Sequence, residues 1–105
     1  MIVRVWHGWT APDDADRYEA LLRTDILPAI AEESGDGFRG AEVVRRAADD
    51  EVEFMTLLRF DSMAAVRQFV GPDVQTAHVP AAARALLTRY EDEATHYERA
   101  VDLGA

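Results

Sequence analysis

The stretch Glu51–Phe60, EVEFMTLLRF, constrains the fold of this chain more than any other part of it. Read as a strand, it sends successive side chains to opposite faces. Val52, Phe54, Thr56, Leu58 and Phe60 then share one face, and Glu53, Met55, Leu57 and Arg59 share the other. The first set is core-like, and the second is half apolar. A sheet with one solvated face carries polar residues along its outer set, so this strand calls for a core on one side and a partner surface on the other.

The N-terminal stretch Ile2–Trp9, IVRVWHGW, repeats the pattern, with Arg4 its only charged interruption. Alternation groups Val3, Val5, His7 and Trp9 against Ile2, Arg4, Trp6 and Gly8, so both faces carry bulk. We expect His7 and Trp9 to point toward the helix side of the sheet and Trp6 toward a subunit interface.

Thr10 and Pro12 open a helix over Ala11–Glu32, with Ala15, Tyr18, Leu22, Ile26 and Ala29 as its apolar stripe. Pro28 should kink or end it, and Glu33–Gly37 is a loop. Phe38–Arg46 and Glu51–Phe60 form a hairpin through Ala47–Asp50. Asp61 is placed to cap a short helix Ser62–Phe69, broken by Gly71-Pro72. Val74–Val79 connects to a second short helix, Ala81 to about Thr88, started by Pro80. Glu91–Glu93 reads as a turn and Ala94–Val101 as the last strand, with helix as its competitor. This order predicts an α+β fold, a ferredoxin-like split βαββαβ arrangement with helices on one side of a four-stranded antiparallel sheet.

The chain has 105 residues, the length of a single domain over 1–105 whose modest core a second copy would supplement. A formal charge of -9 disfavours nucleic acid as a partner, because phosphate affinity comes from cationic side chains. The lack of cysteine excludes disulfides, thiolate nucleophiles and thiolate-bound metals. No run of eighteen apolar residues occurs and no cleavable leader is evident, so we expect neither membrane nor export, and a cytoplasmic protein. There is no phosphate-cradling glycine loop, no nucleophile elbow around Ser34 or Ser62, and no dinucleotide fingerprint at Gly35, Gly37 and Gly40.

In the split topology the first strand is central, so His7 and Trp9 should lie near Glu51 or Glu53 on one flank and Thr95 or His96 on the other. Histidine is the natural proton acceptor near neutral pH, and a carboxylate such as Glu53 or Glu98 would orient it. His96 and His7 are therefore the candidate bases. Trp9, Tyr18, Glu53 and His78 are the candidate substrate contacts, with His78 at a cavity mouth and the Tyr18 hydroxyl as hydrogen bonder. Arg59, on a partly apolar face, suggests an intersubunit ion pair. No HxH or HExxH spacing supports a metal, and no cofactor is expected.

The segments IVRVWHGWT, DADRYEALLRTDILPAI, EVEFMTLLRFDSMAAVRQF and VPAAARALLTRYEDEATHYE together resemble the antibiotic biosynthesis monooxygenase-like family, part of the dimeric α+β barrel superfamily. The resemblance spans almost the whole chain. It implies a homodimer in which two four-stranded sheets face each other as a barrel, with a substrate cavity between sheet and helices. Enzymes of this family oxidise aromatic polyketides with molecular oxygen and no metal or flavin, deprotonating a phenolic substrate and stabilising its anion. By that analogy His7, Trp9 and His96 supply a base and an aromatic wall, and Tyr18 reaches in from the helix. The cofactor-free enzymes use an Asn, Trp, Tyr and Arg set, whereas this chain contains no asparagine.

Overall fold

The computed structural model describes residues Met1–Gly104. β1 (Ile2–Thr10) is the central strand of an antiparallel sheet. On one flank it pairs with β3 (Glu51–Phe60), beyond which lies β2 (Phe38–Ala48). On the other flank β4 (Leu87–Tyr90) and β5 (Thr95–Glu98) follow each other along the same edge, β4 opposite Gly8–Thr10 and β5 opposite Ile2–Val5.

The fourth strand position is thus shared by two short strands, where one strand over Ala94–Val101 was expected. The helix expected over Ala81–Thr88 ends after one turn, as α4 (Ala81–Arg84). Its apolar continuation is recruited elsewhere: Leu87 pairs with Thr10 in the sheet, and Leu86 and Leu87 pack on the core around Tyr18 and Phe54. Tertiary pairing overrides the helix preference of Ala and Leu here. Residues 91–94 leave the line of the sheet because the 75–77 segment holds them: Ala94 N–H donates to Gln75 O at 2.7 Å, and Ala77 N–H to Asp92 O at 2.8 Å.

The long helical rod after β1 forms as expected but is not uniform. A 3-10 turn (Pro12–Asp14) leads into α1 (Ala15–Leu21), a π-helical turn (Leu22–Ile26) and α2 (Leu27–Glu33). In the π turn the Leu27 N–H reaches Leu22 O, five residues back. This wider turn gives the ring of Pro28 room and lets the rod continue past a residue that has no N–H to donate. α3 (Met63–Val70) is capped by Ser62, whose hydroxyl accepts from Ala65 N–H at 3.2 Å. Asp61, the expected cap, instead accepts from Nε and Nη2 of Arg39, both at 2.7 Å.

Val52, Phe54, Thr56, Leu58 and Phe60 are all buried, as the alternation of β3 predicts. Strand pairing puts Ile2, Arg4, Trp6, Gly8 and Thr10 on that same helix-facing side. The grouping of β1 therefore holds, but its orientation is the reverse of the expectation: Trp6 faces the helices. His7 and Trp9 belong to the other, open face. Gly8 explains how an indole fits there. A Cβ on Gly8 would lie 2.9 Å from the far edge of the Trp6 ring and 3.0 Å from Leu87, so the ring lies across a position that only glycine leaves free. Two core clusters result, Tyr18 with Phe54 at one end of the sheet and Phe60 with Val66 at the other. No helix of the described residues is long and apolar enough to cross a membrane.

Candidate functional site

Between the helix-facing side of the sheet and the rod lies a cavity of about 390 Å³. Leu22, Ile26, Ile30, Leu58 and Phe69 give it largely apolar walls, and Arg4, Trp6, Tyr18, Thr56, His78 and Glu33 supply its polar groups. This volume suits a small organic ligand.

Tyr18 enters from α1, as expected. It is buried, stacked edge-on against Phe54 with ring centres 4.8 Å apart, and its hydroxyl forms no hydrogen bond among the described residues. Burial pushes its ionisation up to about 12, so it remains a neutral donor throughout the physiological range. Trp6 presents its indole to the cavity and fixes it by donating Nε1–H to Glu91 O at 2.7 Å.

Arg4, which sequence reasoning passed over as an interruption in the strand, is the cation of the cavity wall. Only 6% of it is exposed. Its Nη1 donates to Val74 O at 2.6 Å and to His96 Nε2 at 2.9 Å, and its Nη2 to Thr76 O at 3.4 Å. Burial lowers its pKa from the ordinary arginine value. The available signal was a lone arginine on the strand face shared by Ile2, Trp6 and Gly8.

The three histidines separate. His78 lines the cavity but is exposed at its mouth. His96 sits opposite Arg4 on the helix-facing side, outside the cavity lining, and its ring nitrogen is engaged by Arg4. Burial first, and then the positive charge of Arg4, hold the His96 pKa below its ordinary value.

His7 is on the open face. β4 and β5 leave Trp6 and His7 without a strand partner on that flank, and Glu91 fills the gap. Its N–H donates to His7 O at 3.0 Å, and its carboxylate accepts from His7 N–H at 2.8 Å and lies 2.6 Å from His7 Nδ1. Glu53 approaches the other ring nitrogen of His7 at 3.8 Å and pairs with Arg46 at 2.9 Å. Trp9 stacks on His7 with ring centres 6.1 Å apart, and the Arg89 guanidinium lies 3.8 Å above its ring. The structure thus brings together His7, Trp9 and Glu53 on one face and Tyr18 with His78 on the other. The expected meeting of His7 with His96 does not occur. His96 falls opposite Arg4, three residues earlier in β1 and on the reverse face, because β4 occupies the edge beside Trp9. Arg59 packs on Gly40 and lies 3.9 Å from Glu42 of the same chain. Among the described residues, no group of three or more His, Asp or Glu side chains is arranged to hold a metal ion.

No protein-family model matches the chain, and no curated protein matches it by sequence. Solved structures do. A Bacillus cereus protein described as a candidate antibiotic biosynthesis monooxygenase superposes with a TM-score of 0.69 at 11% identity, over 100% of this chain and 96% of that one. The fold is that of the antibiotic biosynthesis monooxygenase-like proteins. The monooxygenase ActVA-Orf6 of Streptomyces coelicolor, solved with the ligand nanaomycin D, matches with a TM-score of 0.61 at 19% identity, over 99% of this chain and 92% of that one. A variant of MhuD, solved with two manganese protoporphyrin IX molecules per active site, gives 0.63 at 21% identity, with both chains covered in full. At these identities the likeness to antibiotic biosynthesis monooxygenase-like proteins concerns the fold.

Proposed function

We propose that the chain is a cofactor-independent monooxygenase acting on a small aromatic, polyketide-like molecule held in the cavity between sheet and helices. The observation that carries this reading is the cavity itself: apolar walls, a pinned indole, and a buried tyrosine hydroxyl with no partner among the described residues. Trp6 and Phe69 provide ring surfaces for a planar substrate. His78 at the mouth accepts the proton, and the neutral Tyr18 hydroxyl donates to the oxygen on which negative charge develops.

The reaction is then the conversion of an activated ring methylene to a ketone. Loss of one proton to the base leaves a carbanion stabilised as its enolate. Its electron pair forms a carbon–oxygen bond to molecular oxygen, and the hydroperoxide loses water. Two hydrogens and one oxygen atom leave as water, and the other oxygen stays on carbon. His96 and His7, the bases expected from sequence, do not line the cavity, so the role moves to His78.

The open face of the sheet supports a homodimer. Val3, Val5, Met55 and Leu57 are half-buried in the single chain and share that face, the arrangement of a surface that receives a second sheet.

A non-catalytic ligand-binding dimer is the second reading, favoured by one observation: the sole imidazole of the cavity stands exposed at its mouth. Oxygen consumption with a panel of anthrone-like phenols separates the two. The oxygenase reading expects substrate-dependent uptake, reduced about 100-fold in His78→Gln. Binding of the panel without uptake leaves the binder.

A further inference from the structure

We propose that the natural ligand of this cavity carries a carboxylate, held by Arg4, in addition to its aromatic body. The inference rests on the reading of the cavity as a ligand site and names the chemical class of that ligand.

Arg4 is the only arginine of the described chain that is buried. Arg17, Arg23, Arg39, Arg45, Arg46, Arg59, Arg89 and Arg99 each have a carboxylate within ion-pair distance. Arg67 and Arg84, which form no such pair among the described residues, are exposed and solvated. The chain has 20 acidic residues and 11 basic ones, so carboxylates are in excess, yet among the described residues none is paired with the one buried guanidinium. A buried charge without a counterion is costly, and a full charge normally brings its partner with it.

Among the described residues, the partners of Arg4 are neutral: two backbone carbonyls and an imidazole. Because a guanidinium always donates, His96 Nε2 is the acceptor and the ring is uncharged. These three bonds hold the guanidinium in place without cancelling its charge. They also use only three of its five N–H groups. The Nε–H and one Nη2–H have no partner among the described residues, and Nε with Nη2 forms one of the two edges that grip a carboxylate with paired hydrogen bonds.

The surroundings favour the same ligand. Arg4 borders a cavity whose walls are otherwise mostly apolar, where an ion pair is stronger than in water. Glu33, the acidic group of the lining, is exposed at the rim and forms no pair with Arg4. An aromatic acid satisfies both features at once, its rings against Trp6 and Phe69 and its carboxylate on Arg4. A neutral ligand of the same size would leave the charge of Arg4 unmet.

Calorimetric titration with 2-naphthoate and 2-naphthalenemethanol, two probes alike in shape and different in charge, tests this on the native protein. Near neutral pH and low salt the acid is expected to bind about tenfold or more tighter than the alcohol. In Arg4→Met the two probes should bind equally. Arg4→Lys, which keeps the charge and loses the fork, should retain part of the preference and serves if the Met variant does not fold. Equal affinities in the native protein, or no binding of the acid at about 1 mM, would overturn the proposal. Failure of the oxygenase reading looks different: selective binding of the acid with no oxygen uptake removes the oxygenase and keeps the carboxylate site. Oxygen uptake that is indifferent to an acid group on the phenol does the reverse.

Discussion

Arg4 and His96 face each other across β1 and β5, with Nη1 of the guanidinium 2.9 Å from Nε2 of the imidazole. The pair allows one assignment of the ring proton, since arginine can only donate: Nδ1 carries it. His96 should therefore show the Nδ1–H tautomer in long-range proton–nitrogen spectra, and an Nε2–H signal would contradict the pairing. The same contact makes stability depend on pH. Burial and the Arg4 charge lower the folded pKa of His96, so the unfolded chain binds more protons between that lowered value and about 6.5. The contribution is fully present above this window and is lost as pH falls through it. Urea midpoints measured from weakly acidic to neutral pH should show this slope, and His96→Gln should remove it.

Gly8 and Trp6 are coupled by contact along one strand. A methyl group on Gly8 would meet the indole at 2.9 Å and Leu87 at 3.0 Å, so Gly8→Ala must push the ring into the cavity or push β4 outward. The expected cost is about 1–3 kcal/mol of stability. Weaker binding of aromatic probes should accompany it, with altered tryptophan emission. An unchanged unfolding curve with unchanged emission would show that the ring does not lie across Gly8.

Thr10 is fully buried, and its Oγ1 has no hydrogen-bond partner among the described residues. An unsatisfied hydroxyl keeps its desolvation penalty in the folded state, whereas valine has the same shape without it. Thr10→Val should therefore raise stability by about 1 kcal/mol, read as a shift in the urea midpoint with an unchanged slope. A loss of stability would mean that the hydroxyl has a partner, such as an ordered water.

Tyr18 combines burial with a hydroxyl that has no hydrogen-bond partner among the described residues. Its ionisation lies near 12, above the ordinary tyrosine value of 10.0, so the folded state holds the proton where the unfolded state releases it. Stability should accordingly fall as pH rises through that interval. Tyr18→Phe should abolish this alkaline loss, together with the absorbance change near pH 12. The same variant should leave neutral-pH stability within about 0.5 kcal/mol while lowering oxygen uptake. A large loss of neutral-pH stability would instead reveal a structural partner for the hydroxyl.

Much of this fold is legible where a single period dominates. β3 alternates cleanly, and every residue assigned to its core face is buried. In β1 the alternation is equally regular, but each face carries one tryptophan, so the pattern groups the residues without orienting them. Pairing with β3 decides the matter, and that is a tertiary fact. The C-terminal region departs from its local sequence pattern for a related reason. AAARALLTRY has helix-forming composition, but the edge of β1 needs Leu87–Tyr90 as a strand. The site inherits these errors: His7 and Trp9 move to the open face, and Trp6 and Arg4 replace them at the cavity. Tyr18 and His78 could be placed from sequence, because one lies on a helix stripe and the other in the segment before Pro80.

Leu57 tests the proposed dimer. It stands opposite Val5 in β1 and Glu42 in β2, near the middle of the open face, and is half-buried within the single chain. Leu57→Glu would leave its carboxylate solvated in the monomer, at little cost to the fold. In a symmetric interface of two such faces it would bring two charges into a nonpolar contact, which is strongly unfavourable. Dimer dissociation measured by sedimentation should weaken by about 100-fold or more, with circular dichroism unchanged. A dimer of unaltered affinity would mean that the chains associate through another surface and that the apolar half of this face has some other cover.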